Sequence, residues 1–131
     1  IIRYRQAFTQ TMEVLDSYAK NIDKIVFHCF GGDAKQAEIV TKRGYYVSFT
    51  GVVTFKNAET ARQAAKAVPM DKLMIETDCP FMSPVPVRKQ KVNEPALMVH
   101  TAKFLAELKG LDFNDFAVQV TENSKEFFDL Y

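Results

Sequence analysis

The stretch KIVFHCFGGDAKQAEIVTKRGYYVSF, residues 24–49, reads as strand, helix, strand. KIVFH (24–28) is the first strand and runs into a Gly-Gly turn. Asp33 with Gln36 three residues later forms a capping box, which opens a helix that Gly44 stops. YYVSF (45–49) is the second strand. Two strands joined by a helix of about ten residues indicate a βαβ unit and hence a parallel sheet.

The same alternation extends in both directions. Upstream, Phe8, Met12, Leu15 and Ala19 recur at helical spacing between residues 6 and 20, marking an amphipathic helix. Downstream, Asn57 is expected to cap a helix whose inner stripe is Ala61, Ala64, Ala65 and Val68, ended by Pro69. KLMIETD (72–78) is a third strand. The segment CPFMSPVPVRKQKVNEP (79–95) holds four of the chain's five prolines and is long for a connector, a property of functional loops. Asn93 is expected to cap the next helix, with Glu94 and Pro95 in its first turn. Its buried stripe is Leu97, Thr101, Phe104, Leu105 and Leu108, and Gly110 closes it. Residues 112–131 read as one or two short helices with a break expected near Thr121. Counting Ile1–Ile2 as the end of a strand gives four β/α units, half of an eightfold barrel, which typically takes about 250 residues. An independent small α/β sheet is the other reading.

Composition narrows the class. With 131 residues, 47% apolar and 25% charged, the chain is expected to form a single domain (1–131) with a real core, not a disordered segment. A net charge of +1 makes no case for nucleic acid, so any such contact must come from a local basic patch. No apolar run is long enough to span a bilayer and no signal-peptide pattern is present. Cys29 and Cys79 are therefore expected to be free thiols of a cytoplasmic protein. The chain starts at Ile1, already strand-like in character, and the expectation is that an upstream segment has been removed.

Chemistry concentrates at strand ends. His28 closes the first strand, and Asp78 closes the third, where parallel α/β folds place their sites. Side chains alternate along a strand, so Glu76 faces the same way as Asp78. Two carboxylates on one face repel unless a cation relieves them, and a divalent metal or an arginine would each do so. The residues alone leave those two readings level.

FHCFGG, YYVSFTGVVTFKNA, ETDCPFMSPVPVR and NEPALMVHTAKFLAELKGL, in this order and spacing, resemble the TatD family of metal-dependent deoxyribonucleases over nearly the whole chain. The resemblance implies a (β/α)8 TIM barrel, of which this chain is similar to the second half, about four β/α units with C-terminal helices. It implies metal-dependent hydrolysis of phosphodiesters in DNA with divalent ions (Mg2+, Mn2+ or Zn2+), at a two-metal site in the complete family barrel that need not be kept in this chain. By the same resemblance His28 is a metal ligand, and Asp78 is both ligand and the group that orients or deprotonates the attacking water. The family's HxH pair and its fourth-strand Glu have no counterpart in this sequence. Where the family tends to read IIH followed two residues on by Arg, this chain has Arg3 and then Arg5.

Arg3 is the departure that matters. A guanidinium has no lone pair to give a metal and would repel one. The expectation is that Arg3 pairs with Asp78 or Glu76 in place of a metal charge; the alternative is a frayed Arg3 in solvent. Arg5, Arg88, Lys89 and Lys91 are candidates for binding the DNA backbone, against the plain reading of a solvated charged loop. His100 shares a helix face with Leu97 and Phe104 and reads as a packed or edge histidine. Ser48 and Thr50 could bond a substrate or simply satisfy backbone groups. Two functions follow. One is a TatD-like hydrolase, incomplete and inactive as this chain alone because two ligands hold a metal poorly. The other is a non-catalytic half-barrel that associates with its own copy or with a missing first half through its open edges.

Overall fold

The computed structural model describes residues 1–130. Three short parallel strands, β1 (Val26–Phe27), β2 (Tyr46–Phe49) and β3 (Leu73–Ile75), lie side by side in sequence order. Val26 pairs with Tyr46 and Val47 with Leu73. The ladder continues beyond the strands, since Glu76 N–H donates to Phe49 O at 3.1 Å and Phe30 N–H to Ser48 O at 3.0 Å. The first of the four expected β/α units contributes one parallel bridge, Ile2 to Phe27, with hydrogen bonds of 2.8 Å on either side. The third strand is shorter than the expected 72–78: Glu76, Thr77 and Asp78 already belong to the following segment.

Five α-helices connect and cover the sheet: α1 (Phe8–Tyr18), α2 (Ala34–Lys42), α3 (Glu59–Ala67), α4 (Met98–Lys109) and α5 (Phe113–Phe128). The Asp33–Gln36 capping box is formed in both directions, with Gln36 N–H donating to Asp33 Oδ1 at 2.8 Å. Gly110 ends α4 at φ +67°, a left-handed conformation that costs glycine little.

Each strand is buried on both faces. Ile25, Phe27, Val47, Phe49 and Leu73 pack into the main core with Val40, Ala64, Ala65, Leu105 and Phe116 from the helices. Alanines at 37, 64, 65, 102 and 106 are nearly or wholly inaccessible, which lets the helices sit close to the sheet. The opposite face carries Val26, Tyr46 and Met74, and Phe127 from the end of α5 closes over them, its ring 5.3 Å from that of Tyr46.

Three local expectations are corrected. Asn57 does not cap α3; Ala58 stands at that position without a side-chain cap, and α3 begins at Glu59. Asn93 does not cap a helix either: the turn Pro95–Leu97 that precedes α4 is entered through Glu94, and Asn93 is buried, holding the preceding loop instead. The break near Thr121 is absent, because α5 runs on as one helix and Thr121 Oγ1 bonds back to Ala117 O at 2.7 Å. Tertiary anchoring keeps it continuous. Asn123, at 2% exposure, donates through Nδ2 to Met70 O (2.6 Å) and Leu73 O (2.8 Å), tying α5 to the start of β3.

Removing that tie takes a buried donor from Leu73 O and one of two donors from Met70 O. Asn123→Ala is expected to lower the unfolding free energy by about 2 kcal/mol in a urea titration, whereas Asn114→Ala, on the exposed side of α5, should stay within about 0.5 kcal/mol of the parent.

Candidate metal centre

His28 immediately follows β1, and Glu76 and Asp78 follow β3, so the parallel register carries all three to the same end of the sheet. Their ligand-capable atoms lie within 4.8 Å of one another, the one such group among the described residues. Asp78 is the most enclosed, with a side chain only 12% exposed, against 26% for His28. The backbone turns sharply here: Cys29 has φ +47°, and its N–H points at Glu76 Oε1 with a bond of 2.6 Å.

Both ring nitrogens of His28 face polar groups. Arg3 Nη1, which can only donate, lies 3.4 Å from His28 Nε2 and 3.1 Å from Asp78 Oδ2. With Nε2 accepting from Arg3, Nδ1–H would donate to Glu76 Oε2, with which it is in close contact. Glu76 is thereby engaged on two sides, by Cys29 N–H and by His28. This is the arrangement in which a carboxylate holds a histidine so that its other nitrogen offers a lone pair to a metal.

The donor set suits a divalent cation. His28 Nε2 and Asp78 Oδ1 are 3.3 Å apart, close to the roughly 3.4 Å that two ligands at tetrahedral angles and ordinary zinc bond lengths would span. One neutral imidazole and one carboxylate also match a borderline-hard ion. Arg3 stands against both donors, which makes its guanidinium the cation now serving this cluster. Its side chain is 51% exposed, so it can leave toward solvent without disturbing the core. The expectation that Arg3 pairs with Asp78 or Glu76 is met at Asp78.

The other candidates fall into two groups. Arg88, Lys89 and Lys91 line one cavity on the loop after β3, with the Arg88 guanidinium 3.9 Å from the centre of the Phe55 ring. Arg5 is exposed and lies outside the lining of that cavity. Thr50 accepts from Val52 N–H at 3.3 Å, the backbone role weighed for it, while Ser48 is buried beside His28 and Glu76 in a smaller cavity. Both cysteines are free thiols, and burial followed by the charge of Asp78 pushes the Cys29 thiol up, keeping it protonated at neutral pH. His100 is half-buried on α4. Glu76 was legible as a carboxylate beside Asp78; its bond to His28 was not, because nothing in the spacing brings residues 28 and 76 together.

Comparison with known proteins agrees with this architecture. Among solved structures, the YjjV TatD homologue of Escherichia coli superposes with a TM-score of 0.87 at 23% identity, covering 98% of this chain and 49% of that one. A TatD-family hydrolase of Entamoeba histolytica gives 0.83 at 22%, over 95% and 48%. At such identities the likeness concerns the fold. The sequence matches the family described as TatD related DNase over residues 1–129, and the chain belongs to that family. It is 40% identical over 128 residues to the metal-dependent hydrolase YabD of Bacillus subtilis, and 38% identical over 130 residues to YcfH of Escherichia coli K12, also named a metal-dependent hydrolase. These alignments take in 98% and 99% of this chain but 50% and 49% of the relatives, so the chain spans about half their length. No helix among the described residues is long and apolar enough to cross a membrane.

Neutralising Arg3 should free both donors. Arg3→Gln is expected to raise affinity for Mn2+ or Zn2+ by at least about tenfold in a calorimetric titration, since it removes a full positive charge from within ~4 Å of the ion's place. Unchanged affinity would mean that Arg3 does not compete for these donors.

Proposed function

We propose that this chain supplies the C-terminal half of a TatD-type (β/α)8 barrel, as one domain of four β/α units, whose reaction is metal-dependent hydrolysis of phosphodiester bonds in DNA. The observation that carries the reading is the oriented pair His28 Nε2 and Asp78 Oδ1, 3.3 Å apart at the carboxyl end of a parallel sheet, with Glu76 behind His28. Family membership and the names of the relatives support the reaction class.

In this reading His28 and Asp78 would hold a divalent ion. When bound, such an ion supplies positive charge for a phosphoryl oxygen and acidifies a nearby water. Glu76, in contact with Nδ1, would orient the ring so that Nε2 faces the ion. Asp78 has two oxygens: one faces His28, and the other, now bonded to Arg3, is the acceptor for the proton of the attacking water once Arg3 withdraws. Arg88, Lys89 and Lys91, on the same loop as Asp78, hold backbone phosphates, with Arg5 a further candidate. With Glu76 committed to His28, two ligands remain, fewer than the three protein ligands usual for a catalytic zinc. The 131 residues by themselves are therefore a weak hydrolase, and pairing with a segment equivalent to the relatives' first half would complete the ligand set.

A second reading is favoured by one observation, the Arg3–Asp78 ion pair at 3.1 Å. If that pair is permanent, the chain is a non-catalytic association module whose cluster is closed by its own arginine.

The decisive assay is hydrolysis of a DNA oligonucleotide in Mn2+ or Mg2+, by the chain alone and with the first half of the Bacillus subtilis relative supplied in trans. Low activity that rises on complementation, and falls by at least about a hundredfold in Asp78→Ala, is the expected outcome. Activity that Asp78→Ala leaves untouched would remove the site assignment. No metal binding together with stable self-association on size exclusion would favour the second reading.

A further inference from the structure

The segment that follows Asp78 displays an aromatic ring in water on a fixed support. Phe81 is 70% exposed. Its backbone is nevertheless bonded on both sides: its N–H donates to Asp78 O at 2.9 Å, and its carbonyl accepts from Asn93 Nδ2 at 2.7 Å. Asn93 is 3% exposed and also donates through its own N–H to Pro80 O at 2.9 Å. Among the described residues its Oδ1 has no donor, so the side chain is committed to the loop through its amide nitrogen alone. Below the loop, Gly51 permits close approach, since a Cβ there would stand 2.7 Å from Met82 O. Val85 N–H donates to Thr54 Oγ1 at 2.9 Å. The exposure of Phe81 is thus a property of an anchored loop and not of a frayed one.

Around that ring lies a cavity of about 390 Å³, within the range of small-molecule sites. Its lining includes Phe81, Arg88, Lys89 and Lys91, and no carboxylate. Arg88 is oriented by its stacking on Phe55. An exposed aromatic face beside three cations is complementary to a flat ring joined to a phosphate. The turn from Asp78 to Phe81 keeps the two Cα atoms within about 7 Å, so the ring and the carboxylate belong to one stretch of loop.

We propose that Phe81 is a base-stacking platform that selects unpaired nucleotides, with Lys89, Lys91 and Arg88 holding the phosphates that flank the stacked base. The inference rests on the nucleic-acid reading given above and adds a specificity-determining residue to it. In a duplex the bases are already stacked on one another, so the platform favours single strands and frayed ends.

The test is fluorescence anisotropy of a short labelled oligothymidylate, without divalent metal, against an abasic strand of the same length. Phe81→Ala should weaken oligothymidylate binding by between about fivefold and a hundredfold, leave the abasic strand unaffected, and be rescued by Phe81→Trp. Lys89→Gln with Lys91→Gln should weaken both strands alike and flatten the salt dependence. Circular dichroism confirms that each variant is folded. Equal affinities of parent and Phe81→Ala for oligothymidylate, equal losses on both strands, or no binding of oligothymidylate by the parent chain would each overturn the proposal. The last of these would instead suit a ring covered by an apolar protein segment. Because no metal is present, none of these results depends on the hydrolytic reading, which Asp78→Ala tests separately.

Discussion

The parallel ladder among Val26–Phe27, Tyr46–Phe49 and Leu73–Ile75 is the constraint on which the rest of the molecule depends. Its register sets Val26 beside Tyr46 and Val47 beside Leu73, and its parallel sense directs the carboxyl ends of β1 and β3 to the same edge of the sheet. His28 and Asp78 lie 50 residues apart in the chain, yet their polar atoms meet at 3.3 Å because each sits just past the end of its own strand. A slip of one residue in either pairing would turn one of those side chains to the opposite face. The apolar layers on both faces hold the register: Phe27, Phe49 and Leu73 against the helices, and Val26, Tyr46 and Met74 beneath Phe127.

Electrostatics at that end follow from the geometry. Two carboxylates brought this close need positive charge, and the chain supplies it locally from Arg3 and from donors in the backbone and imidazole. Arg3 therefore stands where it offsets the charge of Asp78. Arg3 is the residue on which the two functional readings divide. Its guanidinium sits on the exposed side of the cluster, next to the single bridge at Ile2.

The loop that follows is organised by the same principle of buried polar support. Asn93 looks like a helix cap by spacing but serves instead as a strut beneath Pro80 and Phe81. Thr54 and Gly51 complete the support from the far side. The surface left facing water includes Phe81, three residues from Asp78, and the cations Arg88, Lys89 and Lys91.

The sequence by itself determined the alternation of strand and helix, the Asp33–Gln36 cap, the family, and the two residues His28 and Asp78 as strand-end polar groups, because all of these rest on local pattern or ordered motifs. It also raised the pairing of Arg3 with a carboxylate, from a fixed cation standing where the resembled family has a histidine ligand. Only the tertiary structure decided that Glu76 belongs to His28, that the carboxylate Arg3 meets is Asp78, and that Asn93 and Asn123 spend their amides on distant carbonyls. The continuity of α5 past Thr121 belongs with these, since a helix with weak local formers is kept whole by what it packs against. Propensity and spacing act over a few residues. Partner choice between groups some fifty positions apart is set by strand register and burial, which no local pattern carries.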